Sequence, residues 1–146
     1  MSDANDVANN NAYGYGLFST GTKDPIHGPE GPRNVAYRND VASPRDGLHM
    51  QGGNEAWIIA YNRFRISDGR AVFGGETSFD HIIRGNTFIL EKASDPAIQF
   101  ESPNSSGIEL IDNSFHGPVK TISGYLRCEG KFAREENNRV LPLAAN

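Results

Sequence analysis

Apolar and polar positions alternate in short bursts along this chain, and one burst returns several times. Three copies are clear: Trp57-Ile-Ile-Ala-Tyr-Asn62-Arg-Phe64, His81-Ile-Ile-Arg-Gly-Asn86-Thr-Phe88 and Ile108-Glu-Leu-Ile-Asp-Asn113-Ser-Phe115. Each is an apolar strand, an Asn, one further residue and a Phe. Weaker copies flank them at Asn34-Val-Ala-Tyr-Arg-Asn39-Asp-Val41 and Ala133-Arg-Glu-Glu-Asn-Asn138-Arg-Val140. The marker Asn residues stand at 39, 62, 86, 113 and 138, at spacings of 23, 24, 27 and 25. Recurrence at that length predicts a stacked-repeat architecture.

Two positions after the marker the chain reads Val41, Phe64, Phe88, Phe115 and Val140. Three positions before it the residues are Ala36, Ile59, Ile83, Leu110 and Glu135. Strand side chains alternate faces with period two, so these positions define an inner face. A helical repeat would need apolar residues at i, i+3, i+4 and i+7, and Gly and Pro interrupt every stretch long enough to hold one. A coil of about 25 residues with two or three short strands is instead the unit of a parallel β-helix. Successive coils then lie about 4.8 Å apart, and Phe64, Phe88 and Phe115 form a column of rings. An inward Asn carries both a donor and an acceptor, so each copy can bond the copies above and below. The alternative is that Asn marks surface turns, because it tolerates left-handed backbone angles.

A second strand per coil is predicted from Asp46-Gly-Leu-His-Met-Gln-Gly-Gly53, Asp68-Gly-Arg-Ala-Val-Phe-Gly-Gly75 and Asp95-Pro-Ala-Ile-Gln-Phe100. Gly117-Pro-Val-Lys-Thr-Ile122 is expected in that place in the next coil, with residues 123–132 breaking the pattern. Glu135 then makes the last rung polar. Residues 1–12 read as a mobile arm, Tyr13 to Phe18 as a first strand, and the Gly- and Pro-rich stretch 19–33 as a long loop. The whole, 1–146, is one domain: an all-β, short parallel β-helix of about five coils over 13–141.

Over roughly residues 34–141 the repeat resembles the right-handed parallel β-helix superfamily. That group includes pectate-lyase-like enzymes, polysaccharide epimerases and the tailspikes of bacteriophages. The resemblance implies right-handed winding, an extracellular or virion location, and a polysaccharide or other virion proteins as partners. It also implies three-fold self-association. Its catalytic signatures are incomplete here. The chain has no Asp-Asp pair, His27-Gly28 lacks the preceding Gly, and Ile26 interrupts Asp24-Pro25-Ile26-His27.

Net charge changes the picture by exclusion. At −4 and without a basic cluster, the chain lacks the concentrated Lys and Arg that nucleic-acid binding needs. Lone Cys128 excludes an internal disulfide and reads as a packed thiol. Met-Ser-Asp-Ala-Asn-Asp at the start offers no signal peptide, and no apolar run is long enough for a membrane span. An outside location would then require release by lysis, a signal-independent route, or trimming of a longer chain.

Candidate chemistry is sparse. Aligned Asp46, Asp68 and Asp95 would form an acidic column able to hold calcium; otherwise each caps its own turn. No other cofactor is expected. Arg45, Asp46, His49 and Arg70 make the best polar cluster, with His49, Gln51 and Arg70 as ligand-binding candidates; the alternative is a solvated face. His81 should lean inward as a core-edge histidine. The outer positions are unusually apolar: Val35, Tyr37, Ile58, Ala60, Ile82 and Ile111. A strand apolar on both faces is covered on both faces. Either the 19–33 loop covers this stripe or a homo-oligomer, a trimer by the resemblance, is joined through Val35, Tyr37, Ile58, Ile82 and Ile111. Two functions follow: a non-catalytic structural or glycan-binding module of virion-surface type, or a polysaccharide lyase or epimerase acting on an acidic polysaccharide.

Overall fold

The computed structural model describes residues 6–8, 11–13, 17–19, 35–50, 54–75, 77–92 and 95–143. It is a parallel β-solenoid of about four turns. The first sheet stacks β1 (Asp6–Ala8), β4 (Val35–Tyr37), β8 (Ile58–Ala60), β12 (Ile82–Arg84), β15 (Glu109–Ile111) and β18 (Arg134–Glu136). A second stacks β2 (Asn11–Tyr13), β5 (Asp40–Ser43), β9 (Arg63–Ile66), β13 (Thr87–Leu90), β16 (Ser114–His116) and β19 (Arg139–Leu141). The third holds β3 (Leu17–Ser19), β6 (Leu48–Met50), β10 (Val72–Gly74), β14 (Ile98–Phe100) and β17 (Leu126–Cys128). A short pair, β7 (Asn54–Glu55) with β11 (Ser78–Phe79), closes two of the coils. Within the stretch expected to be an arm, β1 and β2 pair in parallel with β4 and β5.

The inner face follows the repeat. Ala36, Ile59, Ile83 and Leu110 are in register and fully buried. Phe64 stacks on Phe88 at 5.4 Å and Phe88 on Phe115 at 5.0 Å between ring centroids. Tyr125 continues the stack at 5.3 Å from Phe115, and its hydroxyl donates to the Val119 carbonyl at 2.9 Å. The aromatic column is therefore one ring longer than the repeat predicts.

The marker Asn residues form a buried ladder. Asn39 Nδ2 donates to Asn62 Oδ1 at 2.9 Å, Asn62 to Asn86 at 3.0 Å, Asn86 to Asn113 at 3.1 Å and Asn113 to Asn138 at 3.0 Å. The other amide hydrogen of Asn62, Asn86 and Asn113 goes to the carbonyl of Ala36, Ile59 and Ile83 respectively, within 2.9 Å. The buried amides of Asn62, Asn86 and Asn113 are thereby satisfied, which removes the penalty of burying them. Turn geometry and ladder prove to be parts of one corner. The residue before each marker is left-handed: Arg38 (φ 54), Tyr61 (φ 56), Gly85 (φ 65), Asp112 (φ 55) and Asn137 (φ 54). At Gly85 a Cβ would lie 2.6 Å from the Tyr61 ring, so glycine also makes room for its neighbour.

One predicted strand is displaced. Residues 117–122 do not pair with β14; a 3-10 turn, Ile122–Tyr125, leads into β17, which does. Leu126 and Cys128 meet Ile98 and Phe100 in register, so the spacing of the apolar pair sets the strand. The Gly-Pro turn signal pointed too early in the chain.

Candidate ligand-binding face

The outer side of the third sheet carries the only expected polar cluster that the fold assembles among the described residues. Pairing of β6 with β10 sets Leu48 beside Val72 and His49 beside Phe73. Two residues earlier on both strands, the same offset brings Asp46 level with Arg70. Arg70 donates to Asp46 through Nε at 2.9 Å, through a terminal nitrogen at 2.8 Å and through its backbone N–H at 3.0 Å. His49 Nδ1 lies 3.4 Å from the same carboxylate. The Arg70 guanidinium carbon also lies over Phe73, 3.5 Å from the ring centroid, and His49 meets that ring edge-on at 4.8 Å.

Burial by itself would raise the Asp46 carboxyl; hydrogen bonds and charge from Arg70, with the charge of His49, outweigh it and hold the group below the usual 3.8. Charge-assisted, fork-to-fork bonds of this kind fix both side chains in one orientation. Gln99 is next to Phe73 in register and Arg127 next to Gln99. Gln99 Oε1 accepts from the free end of the Arg70 guanidinium at 3.4 Å. His49, Phe73, Gln99 and Arg127 thus form one outward row, a side chain per strand spacing of about 4.8 Å.

Of the expected site residues, Asp46, His49 and Arg70 come together. Arg45 is exposed beside them, and its backbone N–H donates to Ser43 Oγ at 3.1 Å. Gln51 lies outside the described residues, as do His27 and the 20–33 part of the expected loop. The aspartate column expected at 46, 68 and 95 does not form. Register in the third sheet follows the buried Leu48, Val72 and Ile98, spaced by 24 and 26, whereas the aspartates are spaced by 22 and 27. Asp46 consequently faces Arg70, and Asp68 turns to Lys92 at 3.4 Å. Among the described residues no three acidic, His or Cys side chains gather as a metal site.

Phe73, Gln99 and Arg127 were missed by the sequence reading. Their signal was Val72-Phe73, two adjacent apolar residues on one strand. The partly apolar outer stripe of the first sheet is real but uneven. Val35, Ile58 and Ile82 form one half-buried column; the neighbouring column reads Tyr37, Ala60, Arg84 and Ile111, with Ile111 9% exposed. Above it the upper rungs carry Glu109, Arg134 and Glu136. His81 is wholly buried: its Nδ1 accepts the Trp57 backbone N–H at 3.0 Å, and burial lowers its pKa from 6.5 to about 3.

Fold and site together define a parallel β-solenoid with one aromatic-backed polar row on an outer face. Comparison with protein-family models, with curated proteins and with solved structures found no match to this chain.

Proposed function

We propose that this chain is a non-catalytic binding module of the tailspike-like, virion-surface kind, and that the outer row of the third sheet binds a glycan. The observation that carries this reading is the Asp46–Arg70 pair clamped over Phe73. It presents fixed donors and acceptors, with Gln99, His49 and Arg127, along the axis of a rigid scaffold. Such a row suits a chain of sugar hydroxyls, which demand many hydrogen bonds of set direction. Asp46 already receives three hydrogen bonds from Arg70, which favours a positioning role over proton transfer. Calorimetry with neutral and acidic oligosaccharides tests the reading: wild type binds one class, and Arg70→Ala abolishes that binding. Failure of both classes to bind would refute it.

A polysaccharide lyase or epimerase is the second reading, favoured by the contact between His49 and Asp46. Product absorbance on acidic polysaccharides, with and without calcium, separates the two. Turnover lost in His49→Ala would establish the enzyme. Self-association through Val35, Tyr37, Ile58 and Ile82, three-fold by the superfamily resemblance, accompanies the binding-module reading. Its check is sedimentation of wild type against Ile82→Asp; a concentrated wild type that stays monomeric rules the oligomer out.

A further inference from the structure

Basic residues are scattered along the sequence, but the second sheet gathers several on its outer face. Register places Asp40, Arg63, Thr87, Ser114 and Arg139 in one outward column. The neighbouring outward column reads Ala42, Arg65, Ile89, His116 and Leu141. Arg63, Arg65 and Arg139 thus share this lateral face with the single carboxylate of Asp40, on a chain whose net charge is −4.

Asp40 decides which arginines are free. It stands directly beside Arg63 in register, yet it pairs diagonally with Arg65, whose terminal nitrogen donates to its two oxygens at 3.2 and 3.3 Å. Arg70, Arg84 and Arg134 likewise each face a carboxylate, and the one Arg84 takes is Asp112, at the corner beside Ser114. Arg63 and Arg139 are exposed and pair with no carboxylate among the described residues. Between them lie the short hydroxyl side chains of Thr87 and Ser114, whose oxygens are 3.5 Å apart. Three strand spacings of about 4.8 Å set the two arginine backbones about 14 Å apart on a rigid floor.

A ligand for this column needs two anionic groups at that spacing and a small hydrogen-bonding group between them. An extended peptide rises about 3.4 Å per residue with alternate side chains on one face, so positions i and i+4 face the sheet about 14 Å apart and i+2 falls between. Between Arg63 and Arg139 neither column carries a Phe, Tyr or Trp on which a nucleic-acid base could stack. A lipid surface would find no protruding apolar anchor, because Ile89 and Leu141 are half-buried. We infer that this face binds an extended acidic segment of a partner protein, with Asp or Glu at i and i+4 and a small polar residue at i+2. The segment runs along the solenoid axis, across the strands. Arg63 and Arg139 each take one carboxylate through paired charge-assisted bonds. Thr87 and Ser114 receive the i+2 side chain, while the backbone groups of the segment project sideways into water. This site is separate from the row on the third sheet and does not rest on the glycan reading.

The test uses the full chain and two capped peptides of one composition, Gly-Glu-Ala-Ser-Ala-Glu-Gly and Gly-Ala-Glu-Ser-Glu-Ala-Gly, titrated at low salt while backbone amide NMR signals are followed. The first should shift the amides of Arg63, Thr87, Ser114 and Arg139. It should half-saturate at about tenfold lower concentration than the second, in which only one carboxylate at a time can meet an arginine. Protein carrying both Arg63→Glu and Arg139→Glu should lose the first peptide and gain its counterpart with lysine in both glutamate places. That charge exchange guards against a variant that merely unfolds. Absence of saturable shifts, shifts centred elsewhere, equal affinity for the two spacings, or failure of the charge exchange would each overturn the inference. So would tighter binding at this column by a dinucleotide or sulfated sugar of equal charge.

Discussion

The corner between the first and second sheets repeats on every rung, whereas the Asp46–Arg70–Phe73 cluster occurs once. The corner combines a left-handed residue, a laddered Asn and, two residues on, a core side chain; five rungs share it. Its chemistry is consumed internally, because the backbone and side-chain donors of Asn62, Asn86 and Asn113 all have their acceptors in the stack. The cluster faces outward and breaks the repeat: Arg70 stands over a phenyl ring where the neighbouring rungs carry His49 and Gln99. Repetition therefore marks what holds this solenoid together, and departure from it marks where a ligand can be told apart. That contrast can be attacked from both sides.

The largest effect is expected at the centre of the repeat. Phe88→Ala removes the ring that touches both Phe64 and Phe115 and should cost about 3–5 kcal/mol in denaturant unfolding. Asn86→Ala follows. It leaves the N–H groups of Asn62 without their acceptor and should cost about 2–4 kcal/mol, since each buried orphan is worth about 1–3. If Asn86→Ala were as mild as a surface change, the ladder would be ornament and the corner would rest on the left-handed residue alone.

His81 gives a third test, through pH. Its folded pKa of about 3 lies below the ordinary 6.5, so the unfolded chain binds the extra proton first. Stability from this group is complete above pH 6.5 and is lost as pH falls toward 3, at up to about 1.4 kcal/mol per unit. Protonation also forces Nδ1 to surrender the Trp57 N–H. Urea midpoints between pH 7 and 4 should fall in wild type and fall less in His81→Phe. At the cluster the expectation reverses. Arg70→Ala should change stability by only about 1 kcal/mol, because the pair is partly exposed, while removing the glycan response entirely.

The smallest effect concerns the other corner, where Ala56 (φ 54), Asp80 (φ 55) and Gly107 (φ 71) precede Trp57, His81 and Ile108. Ala56→Gly relieves a left-handed alanine and should stabilise by about 0.5–1 kcal/mol, read as a raised midpoint. No gain there would mean that Ala56 is held by packing rather than strained.

The sequence by itself determined the coil length, the inner residues and the identity of the ladder, because stacking turns a linear period directly into contacts. Phe64, Phe88 and Phe115 had to touch once the period was near 25, and so did Asn62, Asn86 and Asn113. Local turn signals were a poorer guide. Asp-Gly and Asp-Pro marked bends correctly in kind but not in register, so the expected aspartate column dissolved into the Asp46–Arg70 and Asp68–Lys92 pairs. Burial of Leu48, Val72 and Ile98 decided that register, and a shift of two residues is invisible to a count of turn residues. Tertiary structure alone placed Tyr125 at the end of the ring stack and Phe73 under Arg70. Both contacts depend on side chains that the other coils do not repeat at those places, and a repeat can announce only what it repeats.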